Sequence, residues 1–428
     1  MNSKEQKNYT LPIVMMILLF GMISFVTNLA APMGVVLKNQ FGVSNFMGML
    51  GNFANFIAYA VMGIPAGKLL EKIGYKKTAL LAILVGFVGV GIQVLSGTAS
   101  SFGVYLLGAF VAGFSMCMLN TVVNPMLNTL GGGGNKGNQL IQVGGSFNSL
   151  MGTLVPILVG ALVGEVTKAQ ISDVYPVMYM ALGIFALVGI VLYFVNIPEP
   201  HTTTSSQEKY SHSAWSFRHF IMGAVGIFVY VGIEVGIPGT MMLFLSDPVA
   251  GLDPGTAAST AGVVAGTYWF LMLIGRFIGA SVGGKVSSKS MLTLASVLGM
   301  VFVLLAIFLP TSSKISMPVI QTGASISLGM AEVPVNAMFL VLCGLCTSVM
   351  WGGIFNLAVE GLGKYIAAAS GIFMMMVCGG GILPLIQNAL ADSAGYLTSY
   401  WIPFLGLAYL LYYALIGSKN VNKDIPVD

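Results

Sequence analysis

The sequence predicts an all-α membrane protein of twelve transmembrane helices in two pseudo-symmetric six-helix halves. Three observations predict it. First, 56% of the residues are hydrophobic and only 7% are charged, whereas soluble domains carry about 25% charged residues. A soluble core cannot hide that much apolar surface, so the surrounding solvent must be lipid. Second, apolar runs of about 20 residues or more fall at 11–36, 46–67, 78–96, 101–129, 139–164, 175–196, 218–245, 257–283, 290–309, 335–360, 365–390 and 396–417. Third, with the N terminus in the cytoplasm, fifteen of the eighteen Lys and Arg fall in inside segments and three (Lys38, Lys168, Lys314) in outside loops. That asymmetry is what the positive-inside tendency demands, and a wrong span count would scramble it.

The spans are justified in chain order. The run from Leu11 is too long for a signal-peptide core and reads as a retained first span. Gly63 to Thr78, GIPAGKLLEKIGYKKT, places Lys68, Lys72, Lys76 and Lys77 between two apolar runs. It reads as a cytoplasmic loop that gates or orients the bundle, and Gly63 and Gly67, four apart, offer one helix face to a close neighbour. Asn196 to Phe217, with its Pro, Ser and Thr, reads as a flexible tether. It divides an N-terminal half (1–196) from a linker (197–217) and a C-terminal half (218–428). Gly275 to Ser290 repeats the earlier pattern: Gly275 and Gly279 match Gly63 and Gly67 at an offset of 212. Arg276 falls beside them and is grouped with the gating cations. A second match, Pro156, Ala161 and Leu162 with Pro384, Ala389 and Leu390, has an offset of 228. The long outside loop Pro310 to Pro334 takes up the difference. Parallel six-span repeats are the build of one large class of secondary transporters.

Ionisable groups deep in a bilayer are costly and mark function by default. Glu234 stands sixteen residues into the run that begins at Arg218 and is the expected coupling or orienting acid. Neutral polar groups at depth form a set: Asn28, Asn52, Asn120, Asn124, Gln142, Asn148, Tyr268, Trp351, Asn356 and Gln387. An unpaired amide in hydrocarbon costs several kcal/mol, so the set predicts a wet cavity lined by neutral donors and acceptors. Amides beside aromatic rings suit a sugar, whose hydroxyls they bond and whose C–H face the rings cover. Several of the amides could instead glue helix to helix. No nucleophile–base pair, phosphate loop or metal cluster is present in the sequence, so no enzyme and no cofactor is expected. Cys343 and Cys346 form a CxxC inside an apolar run and read as small membrane-helix residues. The net charge of +4 resides in loops and does not point to nucleic acid.

Gly353 to Asp392, GIFNLAVEGLGKYIAAASGIFMMMVCGGGILPLIQNALAD, resembles the fucose permease and glucose/galactose transporter group of the major facilitator superfamily. YVGIEVG at Tyr230, IPAG at Ile64 with Tyr75 and Lys76, NTVVNP at Asn120 and FNSL at Phe147 are also similar to it. The resemblance implies the major facilitator fold, a central sugar cavity reached alternately from each side, and uptake coupled to protons. It also marks departures. The group's first-span carboxylate falls on the Asn28-Leu29-Ala30-Ala31 stretch, its fourth-span Glu on Asn120, and its fifth-span Gln near Gly145. Glu234 is left as the one deep carboxyl.

The expectation is therefore a monomeric inner-membrane monosaccharide transporter with both termini cytoplasmic. Its partners are a sugar (a hexose or deoxyhexose) and membrane lipid, with H+ or Na+ as coupling ion unless transport is facilitative and uncoupled. An exporter of amphipathic compounds on the same scaffold is the alternative, and a sugar-sensing receptor that binds without translocating is a third.

Overall fold

The computed structural model describes residues 9–42, 45–163, 169–199, 212–322 and 326–427, with some helical side chains outside the description, Asn52 among them. The N-terminal half holds α1 (Thr10–Phe41), α2 (Asn45–Ile73), α3 (Tyr75–Thr98), α4 (Phe102–Leu130), α5 (Gly134–Val163) and α6 (Ile171–Phe194). The C-terminal half holds α7 (Arg218–Ser246), α8 (Ala257–Val282) and α9 (Ser288–Phe308). Its last three spans are broken: α10 (Val335–Thr347) with α11 (Met350–Val359), α12 (Ile366–Met375) with α13 (Gly379–Ala394), and α14 (Tyr396–Ser399) with α15 (Trp401–Tyr412).

Among the described residues, eleven stretches are long and apolar enough to cross a membrane. The twelfth span is α5, whose 30 residues reach about 45 Å at 1.5 Å per residue. Its Gln139 and Gln142 face the other half and donate to the Ala280 and Val349 carbonyls.

An even number of spans puts both chain ends, the α6–α7 linker and the α2–α3 turn on one face of the bundle, here the linker face. The opposite face carries the one departure from an all-α chain. The long loop expected over Pro310 to Pro334 is an antiparallel hairpin, β1 (Lys314–Thr322) with β2 (Ile326–Pro334), in register from Lys314↔Pro334 to Thr322↔Ile326. Its inner side chains, Met317, Val319 and Val333, are buried, and Ile320 N donates to Thr267 Oγ1 of α8 at 3.0 Å. A hydroxyl on a membrane helix thus satisfies one strand amide that lipid could not.

The expected cationic loop at Gly63 to Thr78 shrinks to one residue. Helix α2 runs on to Ile73, and Gly74, at φ 85°, turns directly into α3. Glu199 from the linker caps that turn, accepting from Tyr75 N at 2.7 Å and Lys76 N at 3.0 Å. A carboxylate at a helix N-terminus is favoured by the exposed amides and the helix dipole. Linker residues 200–211 lie outside the described residues.

Candidate functional site

Helix α7 carries Glu234 at its middle, and four features of the local sequence fix it. Tyr230, one turn earlier on the same face, donates its hydroxyl to Oε1 at 2.8 Å. Arg276 of α8 donates Nη2 to the same oxygen at 3.2 Å. Pro238 lacks the N–H that would bond the carbonyl four residues back, so the Glu234 carbonyl is free, and Tyr268 of α8 donates to it at 3.3 Å. Tyr268 also meets Thr347 Oγ1 of α10 at 3.0 Å. The Glu234 and Arg276 side chains are 14% and 11% exposed. They form the one ion pair between two described residues.

The pair reaches across to the other half. Arg276 Nη1 donates to the Gly145 carbonyl at 3.1 Å and to Ser149 Oγ at 2.7 Å, both on α5. Arg276 therefore lies inside the bundle and not in the surface loop that its place next to Gly275 suggested. Its guanidinium is committed to a buried carboxylate.

Helix α4 supplies the facing wall. Asn120, Asn124 and Asn128 recur at every fourth position and make one stripe. Asn120 donates to Tyr59 Oη of α2 at 2.7 Å, and Asn124 donates to the Asn120 carbonyl at 2.9 Å. Asn124 Oδ1 accepts from Trp351 Nε1 of α11 at 3.0 Å. The Trp351 ring lies edge-on to Tyr230 at 6.3 Å between centroids, which joins the amide stripe to the acid. Pro125 repeats the device of Pro238: the freed Thr121 carbonyl accepts from Ser370 Oγ of α12 at 3.0 Å. In the N-terminal half, Asn148 donates to the Phe20 carbonyl at 3.1 Å, and Asn28 donates to Ser24 on its own helix.

The remaining expected positions fall elsewhere. Asn356 accepts from Asn128 at 2.6 Å and donates to Ser288 Oγ at 2.9 Å, deep toward the linker face. Gln142 donates to the Val349 carbonyl at 2.9 Å and is buried there. Tyr268 is wholly buried behind Glu234. Gln387 is buried against α7 and borders a separate, mostly apolar groove of about 310 Å³ with Gly232, Leu383, Pro403 and Tyr409. The Asn52 side chain lies outside the described residues.

Of the lysines, Lys68, Lys72 and Lys77 are exposed, and Lys76 Nζ donates to the Tyr193 carbonyl of α6 at 2.8 Å. That bond stays inside the N-terminal half. Among the described residues, every hydrogen bond between the halves lies from mid-bundle to the linker face.

Sequence reasoning missed Tyr59 and Ser149, which sit one helix away from their partners and carry no signal of their own. It also missed the role of Arg276. A cation inside an apolar run was itself the available signal.

Residues 13–385 match the family model described as Major Facilitator Superfamily. A glucose/galactose transporter of Brucella abortus is 31% identical over 98% of this chain and 97% of its own length. A putative glucose/galactose transporter of Helicobacter pylori is 28% identical over 98% and 100%. The L-fucose-proton symporter of Escherichia coli is 22% identical over 98% and 96%. Among solved structures, FucP in the outward conformation superposes with a TM-score of 0.80 at 20% identity, covering 96% of this chain and 100% of that one.

Proposed function

Because this chain belongs to the Major Facilitator Superfamily, we propose that it moves a monosaccharide across the inner membrane by alternating access, with residues 1–196 and 218–428 as the two moving halves and 197–217 as their linker. The linker face is cytoplasmic in this reading, as the lysine distribution requires, and the described state is outward-facing. The sugar rests between Asn28, Asn120 and Asn148 on one side and Trp351, Tyr230, Glu234 and Arg276 on the other. Ring edges meet its C–H face, and amides and the carboxylate bond its hydroxyls. Asn128, Asn356, Gln139 and Gln142 form the floor that must part for release.

One observation carries the reading most: a connected polar chain, Tyr59–Asn120–Asn124–Trp351, runs through mid-bundle to the side of an ion pair. Groups of that kind are kept at membrane depth only where they face a cavity or one another. The relatives named for glucose/galactose and for fucose with a proton support a hexose or deoxyhexose and a proton as coupling ion. The first-span and fourth-span carboxylates that the family resemblance implies have no counterpart at Ala31 and Asn120, so Glu234 takes the coupling role.

Counterflow of labelled monosaccharides in proteoliposomes, with and without an imposed pH or sodium gradient, tests the proposal. Saturable exchange of one hexose, accumulated under a pH gradient alone, is expected. Absence of exchange for every monosaccharide tried, together with accumulation of an amphipathic dye, would favour an exporter.

A further inference from the structure

The ion pair at the centre of the site has a third member that a binding role does not require. The Arg276 guanidinium is shared: one nitrogen serves Glu234 in the C-terminal half, and the other serves Gly145 and Ser149 in the N-terminal half. We propose that Arg276 is the positioning residue through which the charge on Glu234 is read by α5, so that taking up or losing one proton alters how the two halves are tied. The inference rests on the transport reading above.

The charges around Glu234 can be counted from each neighbouring helix. Its own helix brings Tyr230, and α8 brings Arg276 and Tyr268. Helix α5 brings Ser149 and a carbonyl, α10 brings Thr347 with the thiols of Cys343 and Cys346 behind Tyr268, and α11 brings Trp351. Helix α13 brings Leu383 against Gly232 and Gln387 against Gly236. Among the described residues, Arg276 is thus the one counter-charge for Glu234.

Both Tyr230 and Arg276 use Oε1, and among the described residues nothing donates to Oε2. A proton from water adds there without breaking a bond. Glu234 becomes neutral, and the guanidinium keeps its charge. Its counter-ion is then gone, and a buried charge without a partner is strongly unfavourable. Its other acceptors, the Gly145 carbonyl and Ser149 Oγ, both belong to α5. The protonation state therefore decides whether Arg276 is shared by the two halves or held by one. Proton and guanidinium compete for one carboxylate, and the loser moves.

The test reads the separation of the halves as well as transport. Spin labels are placed at Lys136→Cys, at the start of α5, and Lys285→Cys, just after α8, with the half-buried Cys378 replaced by Ala. The labelled parent in lipid is expected to change its distance distribution between acid and alkaline pH. E234Q and R276Q are expected to lose that response. R276K keeps it with the midpoint displaced by about one pH unit, as expected for a moved opposite charge.

A parent without a pH response, or an R276Q response equal to the parent's, overturns the proposal. Should R276Q fail to reconstitute, R276K decides alone, and an unmoved midpoint overturns it. If the label response holds while no monosaccharide shows counterflow, the transport reading fails and the latch stands.

Discussion

The two seams between the halves are built from opposite materials. At one, α2 crosses α12, and glycine meets glycine. A Cβ on Gly63 would lie 2.5 Å from Met375 N, and one on Gly67 would lie 3.0 Å from the Gly371 Cα. At the other, α8 crosses α5, and the contact is polar: Gln139 donates to the Ala280 carbonyl at 3.0 Å, and Arg276 binds Gly145 and Ser149. The repeat relates α2 to α8, yet only α2 spends its glycine pair across the seam. Gly275 packs on Ser348 of its own half, while Gly279 stands between Val349 and Gln142. One seam fits only by shape and is indifferent to charge. The other is a set of bonds that a proton can alter. A rocking bundle can use the first as a hinge-like bearing and the second as the sensor.

The largest effect on uptake is expected at the bearing. Gly371→Leu drives a side chain into the α2 backbone at Gly63 and Gly67, where no rotamer avoids it. Overpacking of this kind costs about 1–3 kcal/mol even where a core can adjust, and here the neighbour is backbone. Uptake is expected to fall by two orders of magnitude or so, about 2.8 kcal/mol at 1.4 per decade. Labels across the linker face should report a widened seam, and Gly371→Ala should fall between the variants. A Leu variant with parental uptake would show that α2 and α12 need not meet in the cycle.

The sensor seam comes next. Glu234→Gln or Arg276→Gln alone leaves one half of a buried pair, at a cost of roughly 3–5 kcal/mol. The double variant leaves neither charge and is expected to recover most of the loss in thermal unfolding in detergent. A double-variant cycle isolates the pair from its surroundings. Additive losses would mean that the two side chains are stabilised separately and that the bridge has no weight.

The two seams also differ in how far they could be read without coordinates. Twelve spans and the glycine pair at Gly63 and Gly67 were legible, because each follows from local pattern: length and a four-residue spacing. Glu234 was legible because a lone carboxyl at depth is conspicuous. Its partner was not. Arg276 lies near a helix end, and only the packing of α8 against α7 turns it inward. The amides were identified as a class but not sorted. Asn124 and Asn356 look alike in sequence, yet one accepts from Trp351 beside the acid's Tyr230 while the other is spent on Asn128 and Ser288. The hairpin at 314–334 was legible as extra length, but not as strands.

A smaller effect separates the floor from the seams. Gln142→Ala removes the Nε2 donor to the Val349 carbonyl and leaves that oxygen with Gly353 N alone, at 3.3 Å. Losing one such bond costs about 0.5–1.5 kcal/mol. The described state is the one that loses the bond, so the population shifts toward the state open on the linker face. The expected sign is a sugar affinity that weakens several-fold from the hairpin side and not from the linker side. It is measured as half-saturation in vesicles of each orientation. Equal weakening from both sides would place Gln142 in the sugar site after all.

The smallest effect tests where the comparison ends. Lys68, Lys72 and Lys77 are exposed, and Lys76 binds α6 of its own half, so none of the four takes part in either seam. Their charge is a long-range influence at an aqueous surface, screened over about 8 Å at physiological salt. Replacing Lys68, Lys72 and Lys77 together by Gln is expected to change half-saturation and maximal rate by less than about twofold, under 0.5 kcal/mol by the same arithmetic. The amount inserted in the membrane should drop more, because these cations help to hold the α2–α3 turn inside. Rates normalised to the amount of protein in the vesicle separate the two effects. A tenfold loss after normalisation would show that these lysines meet the C-terminal half in the state not described here, and the α2–α3 turn would then join the seams as a third contact.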